Sequence, residues 1–110
     1  MKRTFKETSW FTKKWYDLGF TNMDLVELQN VLLEDPKIGD VIQGTGGLRK
    51  IRIPLRGKGK RGGGRVIYVD IDVKETIHLI DVYVKNRKED LSPEEKKALR
   101  TVLGLIREED

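Results

Sequence analysis

The spacing of hydrophobic residues in the first third of the chain predicts one short strand and two helices. The segment KRTFKET alternates loosely around Phe5, as a strand with one inward side chain would. SWFTKKWYDLGF, which starts at Ser9, places two tryptophans and a phenylalanine at helical spacing before Gly19 interrupts the pattern. TNMDLVELQNVLLEDP carries its leucines on one helical face and ends at Pro36. We therefore expect a strand followed by two helices.

After the turn-rich segment KIGDVIQGTGG, the hydrophobic period changes from that of a helix to that of a strand. LRKIRIPL places its isoleucines on one side and Lys50 and Arg52 on the other. RVIYVDID and TIHLIDVYV are rich in β-branched and aromatic residues, and VKE between them has the length of a hairpin connection. SPEEKKALRTVLGLIREED begins with Ser92 as a helix cap. The order β-α-α-β-β-β-α predicts a single small α+β domain over residues 1–110, with an antiparallel sheet.

Positive charge is concentrated in one segment of an otherwise mildly acidic chain. The chain has 22 Lys and Arg against 18 Asp and Glu, and eight of those cations lie between Arg49 and Arg65, where there is no acid. The other residues therefore hold 14 cations against 18 acids. Such a local excess predicts a phosphate-rich partner at that place.

Composition also narrows the chemistry and the compartment. The chain contains no cysteine, which excludes disulfides and thiolate metal sites. No spacing of histidine and acids indicates a metal site, so we expect neither a metal nor a cofactor. No apolar stretch follows the opening MKRT, and we expect a cytoplasmic protein.

The segment RGKGKRGGGR, residues 56–65, consists of glycine and cations alone. It matches G-x-G-x-x-G literally, but a strand follows it where a dinucleotide-binding loop requires a helix. We interpret it as a hairpin loop rather than an RNA-binding tail, because predicted strands flank it. For Lys58 and Lys60 at its tip, phosphate contact and simple solubility remain equal alternatives.

Lys50, Arg52 and Arg65 can converge, since two share a strand face and the third begins the next strand. A rigid group of cations suits a polyanionic substrate and can stabilise the extra charge of a pentavalent phosphate. RNA brings its own nucleophile, the 2′-hydroxyl, so a nuclease of this kind needs only a base, an acid and charge stabilisers. A lysine crowded by cations has a lowered pKa, which leaves more of its amine neutral and able to accept a proton.

Other side chains of the predicted strands leave two interpretations open. Tyr68 and Tyr83 could contact a base or simply pack in the core. His78, the only histidine, is better explained as a packed residue of the sheet than as a catalyst.

The stretch DPKIGDVIQGTGGLRKIRIPLRGKGKRGGGRVIYV, with the later VYVKN, resembles the RelE/HigB-type toxins of toxin–antitoxin systems, of the RelE/ParE superfamily. The resemblance extends over nearly the whole chain. It implies a microbial-ribonuclease-like fold, with helices packed on one face of a twisted antiparallel sheet. It also implies cleavage of messenger RNA in the ribosomal decoding site.

The resemblance assigns roles to individual positions. Lys50 and Arg52 match the basic pair that faces the phosphate, with Lys50 as the candidate base, and Arg65 matches the arginine that stabilises the transition state. Lys85 lies beside a position that often carries a further arginine and is the fourth catalytic candidate. The last helix lacks the tyrosine that some members use, which leaves the general acid open. We expect RNA and ribosome contacts from Arg49, Arg56, Lys58, Lys60, Arg61, Tyr68 and Tyr83.

Partners and alternatives follow from the same resemblance. It implies a small antitoxin that binds DNA and masks the toxin, together with the ribosome, its rRNA and mRNA. We expect no membrane partner, because the longest apolar run, around Thr76 to Val84, is too short to span a bilayer. Two alternatives remain: a non-catalytic RNA- or ribosome-binding module, and a gyrase-inhibiting toxin of the same fold. The density of cations at Lys50, Arg52 and Arg65 favours the nuclease.

Overall fold

The computed structural model describes residues 2–54, 63–84 and 90–109. Within these residues the chain forms five strands and three α-helices, joined in part by a 3₁₀ turn at Asp72–Lys74. In chain order they are β1 Thr4–Glu7, α1 Ser9–Asp17, α2 Asn22–Glu34, β2 Asp40–Val41, β3 Arg49–Ile53, β4 Gly64–Ile71, β5 Thr76–Val84 and α3 Pro93–Glu108. The α+β class and the predicted elements are confirmed, and β2 is an additional strand. Two residues are too short to show a hydrophobic period, so the sequence pattern missed β2.

The five strands form one sheet in the order β1-β5-β4-β3-β2. β1 pairs with β5 in parallel, while the other three pairs are antiparallel. The expectation of a wholly antiparallel sheet is therefore wrong at this edge. After β1, the chain runs through α1 and α2 before it returns at the opposite edge, and a long connection of this kind permits a parallel neighbour.

α1 and α2 cover one face of the sheet, called here the α1/α2 face. Trp15 is fully buried there, with its ring centroid 5.3 Å from that of Phe11 and 4.4 Å from that of Phe20. The buried side chains of this core are Phe11, Trp15, Phe20, Leu25, Leu28, Leu32, Ile53, Val66, Tyr68, Ile77, Leu79 and Val82.

α3 covers part of the opposite face, called here the α3 face. The buried side chains of the core between α3 and this face are Ile42, Leu48, Ile67, Val69, Ile80, Tyr83, Leu91, Leu99 and Leu103. The resemblance implied helices on one face only. This detail is wrong, because helices pack on both faces of the sheet. β4 is buried at consecutive positions from Gly64 to Val69, so both of its faces need apolar partners.

The helix caps form as the sequence indicates. Thr21 accepts a hydrogen bond from the N–H of Asp24, whose carboxylate accepts one from the N–H of Thr21. Ser92 and Glu95 make the same reciprocal pair at α3. Each box satisfies two N–H groups that the first turn leaves without helical partners. None of the described helices is long and apolar enough to cross a membrane.

Candidate functional site

Strand register brings three cations together on the α3 face. Lys50 on β3 is opposite Ile67 on β4, and Arg52 is opposite Arg65. Ile67 belongs to the core beneath α3, and residues directly opposite each other project from the same face. Lys50, Arg52 and Arg65 therefore project from the α3 face, and we call them the cationic cluster.

The three residues of the cationic cluster are close enough on the sheet for their long side chains to approach one anionic group. Arg52 and Arg65 are cross-strand neighbours, with Cβ atoms about 5 Å apart. Lys50 is two residues from Arg52 along β3, about 7 Å away. Arg52 is exposed and Lys50 is half-buried, so α3 does not cover this end of the sheet. Three long cationic side chains on rigid strands can thus reach one anionic group from solvent.

Arg65 is the buried member of the cluster, with 9% of its surface exposed. Its Nη1 donates a hydrogen bond of 3.2 Å to the carbonyl of Gly64. Burial lowers the pKa of its guanidinium, and the charge of Arg52 lowers it further. An arginine stays charged at neutral pH even so. A charge held partly out of water acts more strongly on a neighbouring anion than an exposed one.

Tyr83 on β5 is directly opposite Arg65, on the side away from Arg52. The residue is 4% exposed and its hydroxyl oxygen is buried. Burial raises the pKa of the phenol, while the charge of Arg65 acts in the opposite direction. The structure thus places Tyr83 beside the cluster as expected, but its ring packs in the core beneath α3.

Arg49 does not join the cluster. It is opposite Tyr68, and it therefore projects from the α1/α2 face. Its Nη1 donates hydrogen bonds to the carbonyls of Gly39, at 2.7 Å, and Lys37, at 3.1 Å. The alternation of side chains in LRKIRI already separates Arg49 from Lys50. Its guanidinium thereby holds the segment before β2, and its expected RNA contact stays a prediction.

Tyr68 is fully buried, in the core of the α1/α2 face. Its hydroxyl accepts a hydrogen bond of 2.9 Å from the N–H of Gly39. A Cβ at Gly39 would lie 2.8 Å from the tyrosine ring, so only glycine fits there. This position removes Tyr68 from the RNA-contacting set, because no base can reach a side chain beneath two helices.

Five expected site residues lie outside the described part of the chain. They are the catalytic candidate Lys85 and the RNA-contact candidates Arg56, Lys58, Lys60 and Arg61.

α3 holds the turn that leads into β3. Arg100 donates a hydrogen bond to the carbonyl of Gly44, and Arg107 donates one to that of Gly46. Between them Thr45 is fully buried, where its hydroxyl donates to the carbonyl of Ile42. These contacts hold the GTGG turn in place directly before β3, the strand that carries two of the three clustered cations.

The pairing of β2 adds a side chain that the sequence pattern did not indicate. Asp40 is directly opposite Lys50 and therefore projects from the same face as the cationic cluster. Only the pairing of the two-residue strand β2 brings Asp40 to this face. The turn-rich segment around it has no hydrophobic period from which its position could be predicted.

No group of three or more His, Asp or Glu side chains within residues 2–54, 63–84 and 90–109 could hold a metal ion.

Known proteins share this architecture. Residues 2–108 match the family model described as the RelE toxin of the RelE / RelB toxin-antitoxin system. The isolated E. coli RelE toxin is 22% identical over 91% of this chain and 98% of its own, with a TM-score of 0.56. Toxin in the intact E. coli RelBE complex is 26% identical over 73% of this chain and 93% of its own, with a TM-score of 0.54. Because the family model spans nearly the whole chain, this protein belongs to the RelE toxin family.

Proposed function

We propose that this protein, the toxin of a toxin–antitoxin module, is a metal-independent endoribonuclease that cuts translated mRNA in the ribosomal decoding site. Family membership supports the toxin assignment. One observation supports the nuclease chemistry: Lys50, Arg52 and Arg65 project from one face of two paired strands, at an end that α3 leaves open.

The cationic cluster is suited to the charge that develops during RNA cleavage. Attack of the 2′-hydroxyl on the adjacent phosphate forms a pentavalent species with an additional negative charge. Arg65, rigid and partly buried, would stabilise that charge, and Arg52 would hold a non-bridging oxygen. Removing one such donor from an enzyme typically costs a factor of about 10² to 10³ in rate.

The reaction balances without any cofactor. The 2′-oxygen forms a bond to phosphorus, the bond to the 5′-oxygen breaks, and a 2′,3′-cyclic phosphate and a 5′-hydroxyl result. One proton leaves the 2′-hydroxyl and one joins the 5′-oxygen. The resemblance suggests Lys50 as the proton acceptor, a role that requires its neutral amine form.

Dependence on the ribosome suits a site with so few acid and base groups. The ribosome would position mRNA, and its phosphates would bind the candidate cations Arg56, Lys58, Lys60, Arg61 and Lys85. Accordingly we place the activity in the cytoplasm, where mRNA is translated.

A cognate antitoxin is the second partner that we propose. Two solved relatives are described as the E. coli RelBE toxin-antitoxin complex and as E. coli RelE in complex with an antitoxin RelB peptide. Masking of the cationic cluster by such a protein would block access of mRNA.

Brief induced expression, followed by mapping of cellular RNA ends, tests the nuclease. We expect growth arrest and new ends within translated codons. Lys50→Ala combined with Arg65→Ala should abolish both. The matched control is Lys13→Ala with Lys97→Ala, which removes two exposed cations from α1 and α3 and should leave cleavage unchanged.

The same experiment separates the alternatives. Growth arrest without new RNA ends, accompanied by steeply salt-dependent binding, would indicate a non-catalytic RNA-binding module. DNA damage with intact transcripts would indicate a gyrase inhibitor. Cleavage that persists in the Lys50 and Arg65 double variant would refute the site.

A further inference from the structure

We propose that Asp40 is a catalytic residue of this protein: the general base that accepts the proton of the RNA 2′-hydroxyl. This inference rests on the proposed nuclease function and assigns the proton acceptor to a residue other than Lys50. The observation behind it is the pairing of β2 with β3, which places a carboxylate at the margin of the cationic cluster.

The geometry follows from strand register. Asp40 is directly opposite Lys50, and Val41 is opposite Arg49. Lys50 is in turn opposite Ile67, so these three residues form one row across the α3 face. The neighbouring row consists of Arg52, Arg65 and Tyr83. The Cβ atoms of Asp40 and Lys50 are therefore about 5 Å apart.

Asp40 is also accessible to a substrate. Its side chain is exposed, whereas the core residue Ile67 and the phenol of Tyr83 in the same two rows are buried. A phosphate bound between Lys50, Arg52 and Arg65 would bring its RNA ribose to the edge of this surface. In a reactive geometry the 2′-oxygen lies about 3 Å from the phosphorus. A ribose on the β2 side of that phosphate would therefore present its 2′-hydroxyl toward Asp40.

The chemistry favours a carboxylate over an amine as the base. Aspartate side chains are ionised at neutral pH and accept a proton without first losing one, whereas lysine side chains carry their proton there. In the proposed step a carboxylate oxygen of Asp40 takes the 2′-hydroxyl proton as the new P–O bond forms. The P–O5′ bond breaks, and the 5′-oxygen leaves with a proton from solvent. Lys50 remains an ammonium group that holds the phosphate.

An exposed ion pair with Lys50 is the ordinary alternative for Asp40, and such pairs contribute little to stability. The two roles differ in what they do to the reaction. A partner that only holds Lys50 would change the affinity for mRNA on the ribosome, while a base would change the rate of cleavage after binding.

Several charged groups lie on the elements around β2 and form the electrostatic surroundings of Asp40. They are Lys37 and Arg49 beside β2, Lys50 and Arg52 on β3, and Lys96 and Arg100 on α3, near Gly44.

Single-turnover cleavage of mRNA on programmed ribosomes tests the proposal, with Asp40→Asn as the principal variant. We expect the rate at saturating toxin to fall by a factor of about 10² to 10⁴. The half-saturating toxin concentration should change by less than about twofold, and a 2′-deoxy substitution at the cut site should abolish cleavage by the wild type. Asp40→Glu should recover part of the rate, because it restores a carboxylate.

The pH profile supplies a readout that a merely structural role would not alter. A carboxylate base needs no deprotonation at neutral pH, so the wild-type rate should vary little between about pH 6 and about pH 8. The rate of Asp40→Asn should rise with pH, since hydroxide must then remove the proton. Asp17→Asn, on the exposed end of α1, is the matched control and should behave as the wild type.

The outcomes are decisive in each direction. The assignment is wrong if the wild type cleaves and Asp40→Asn cleaves equally fast. It is also wrong if Asp40→Asn changes only the half-saturating toxin concentration. Loss of folding is checked by thermal unfolding of each variant, and a folded Asp40→Glu keeps the test valid if Asp40→Asn does not fold. If the wild type itself cuts no RNA on ribosomes, both the nuclease function and this inference fail.

Discussion

Arg52 and Arg65 are directly opposite each other on β3 and β4, and Arg65 is largely buried. Two like charges in this arrangement repel, and cross-strand like-charge pairs destabilise a sheet by about 0.2 to 1 kcal/mol. A bound phosphate would relieve that repulsion. The free protein therefore stores part of the energy with which it would attract an anion.

Removing the exposed partner should stabilise the free protein. We expect Arg52→Gln to raise the free energy of unfolding by about 0.5 kcal/mol at low salt. The gain should shrink as salt screens the repulsion. Urea denaturation at two salt concentrations measures both. Lys50→Gln is the control, because Lys50 is opposite Asp40 and Ile67, and a similar gain there would contradict the explanation.

The buried hydroxyl of Tyr68 should contribute to stability through Gly39. Tyr68→Phe leaves the N–H of Gly39 buried without its acceptor, and we expect a loss of about 1 to 2 kcal/mol. Tyr16→Phe is the control, since its hydroxyl bonds Asn22 on the exposed surface. Denaturant unfolding of both variants tests this, and equal losses would show that burial of the bond is unimportant.

Two glycines should respond in opposite ways to alanine. Gly63 has φ of 51°, and a Cβ there would lie 2.2 Å from the carbonyl oxygen of Ile53. We expect Gly63→Ala to shift the start of β4, lower the melting temperature and impair cleavage through Arg65. Gly104 lies inside α3, and apart from its chain neighbours and the backbone of its own helix no heavy atom lies within 4 Å of an added Cβ.

Gly104→Ala should therefore stabilise the protein by about 0.5 to 1 kcal/mol, because alanine is the better helix former. Thermal unfolding distinguishes the two substitutions. A neutral Gly63→Ala variant would mean that the backbone at this position adjusts without cost.

Acid should weaken the contact between the 3₁₀ turn Asp72–Lys74, which follows β4, and the segment before β2. Lys37 donates hydrogen bonds to Asp72 at 3.0 and 3.1 Å and thereby lowers the pKa of that carboxyl group in the folded protein. A carboxyl group whose pKa is lower in the folded protein stabilises the fold at pH values above its unfolded-state pKa, which is about 3.9. This stability is lost as the pH falls through the folded-state pKa.

Asp72→Asn should accordingly flatten the fall of the unfolding midpoint below about pH 4. Glu108→Gln, an exposed substitution near the end of α3, should leave the profile unchanged. A wild-type profile that coincides with that of Asp72→Asn would remove the role assigned to Lys37.

Much of the fold could be predicted because its signals are local. The capping boxes at Thr21 and Ser92, the helical face of the leucines in α2 and the β-branched runs of β4 and β5 each lie within a few residues. The separation of Lys50 and Arg52 from the isoleucines of β3 is equally local. That alternation also places Arg49 on the other face, and it could have excluded Arg49 from the cluster.

Other features depended on contacts between distant segments. Tyr68 and Tyr83 lie on similar strands, and only the register and the helices decide that one is in the α1/α2 core and the other beside Arg65. A register shift between Ile67 and Tyr68 further changes which residues of β5 share a face.

The sequence by itself determined the helices, the three longest strands and the concentration of cations between Arg49 and Arg65, because periodicity and charge are properties of neighbouring residues. Tertiary structure alone decided that β1 is parallel to β5, that helices cover both faces, and that Asp40 lies opposite Lys50. Strand pairing joins residues far apart in the chain, and its free energy depends on the packing of the whole sheet rather than on any local pattern.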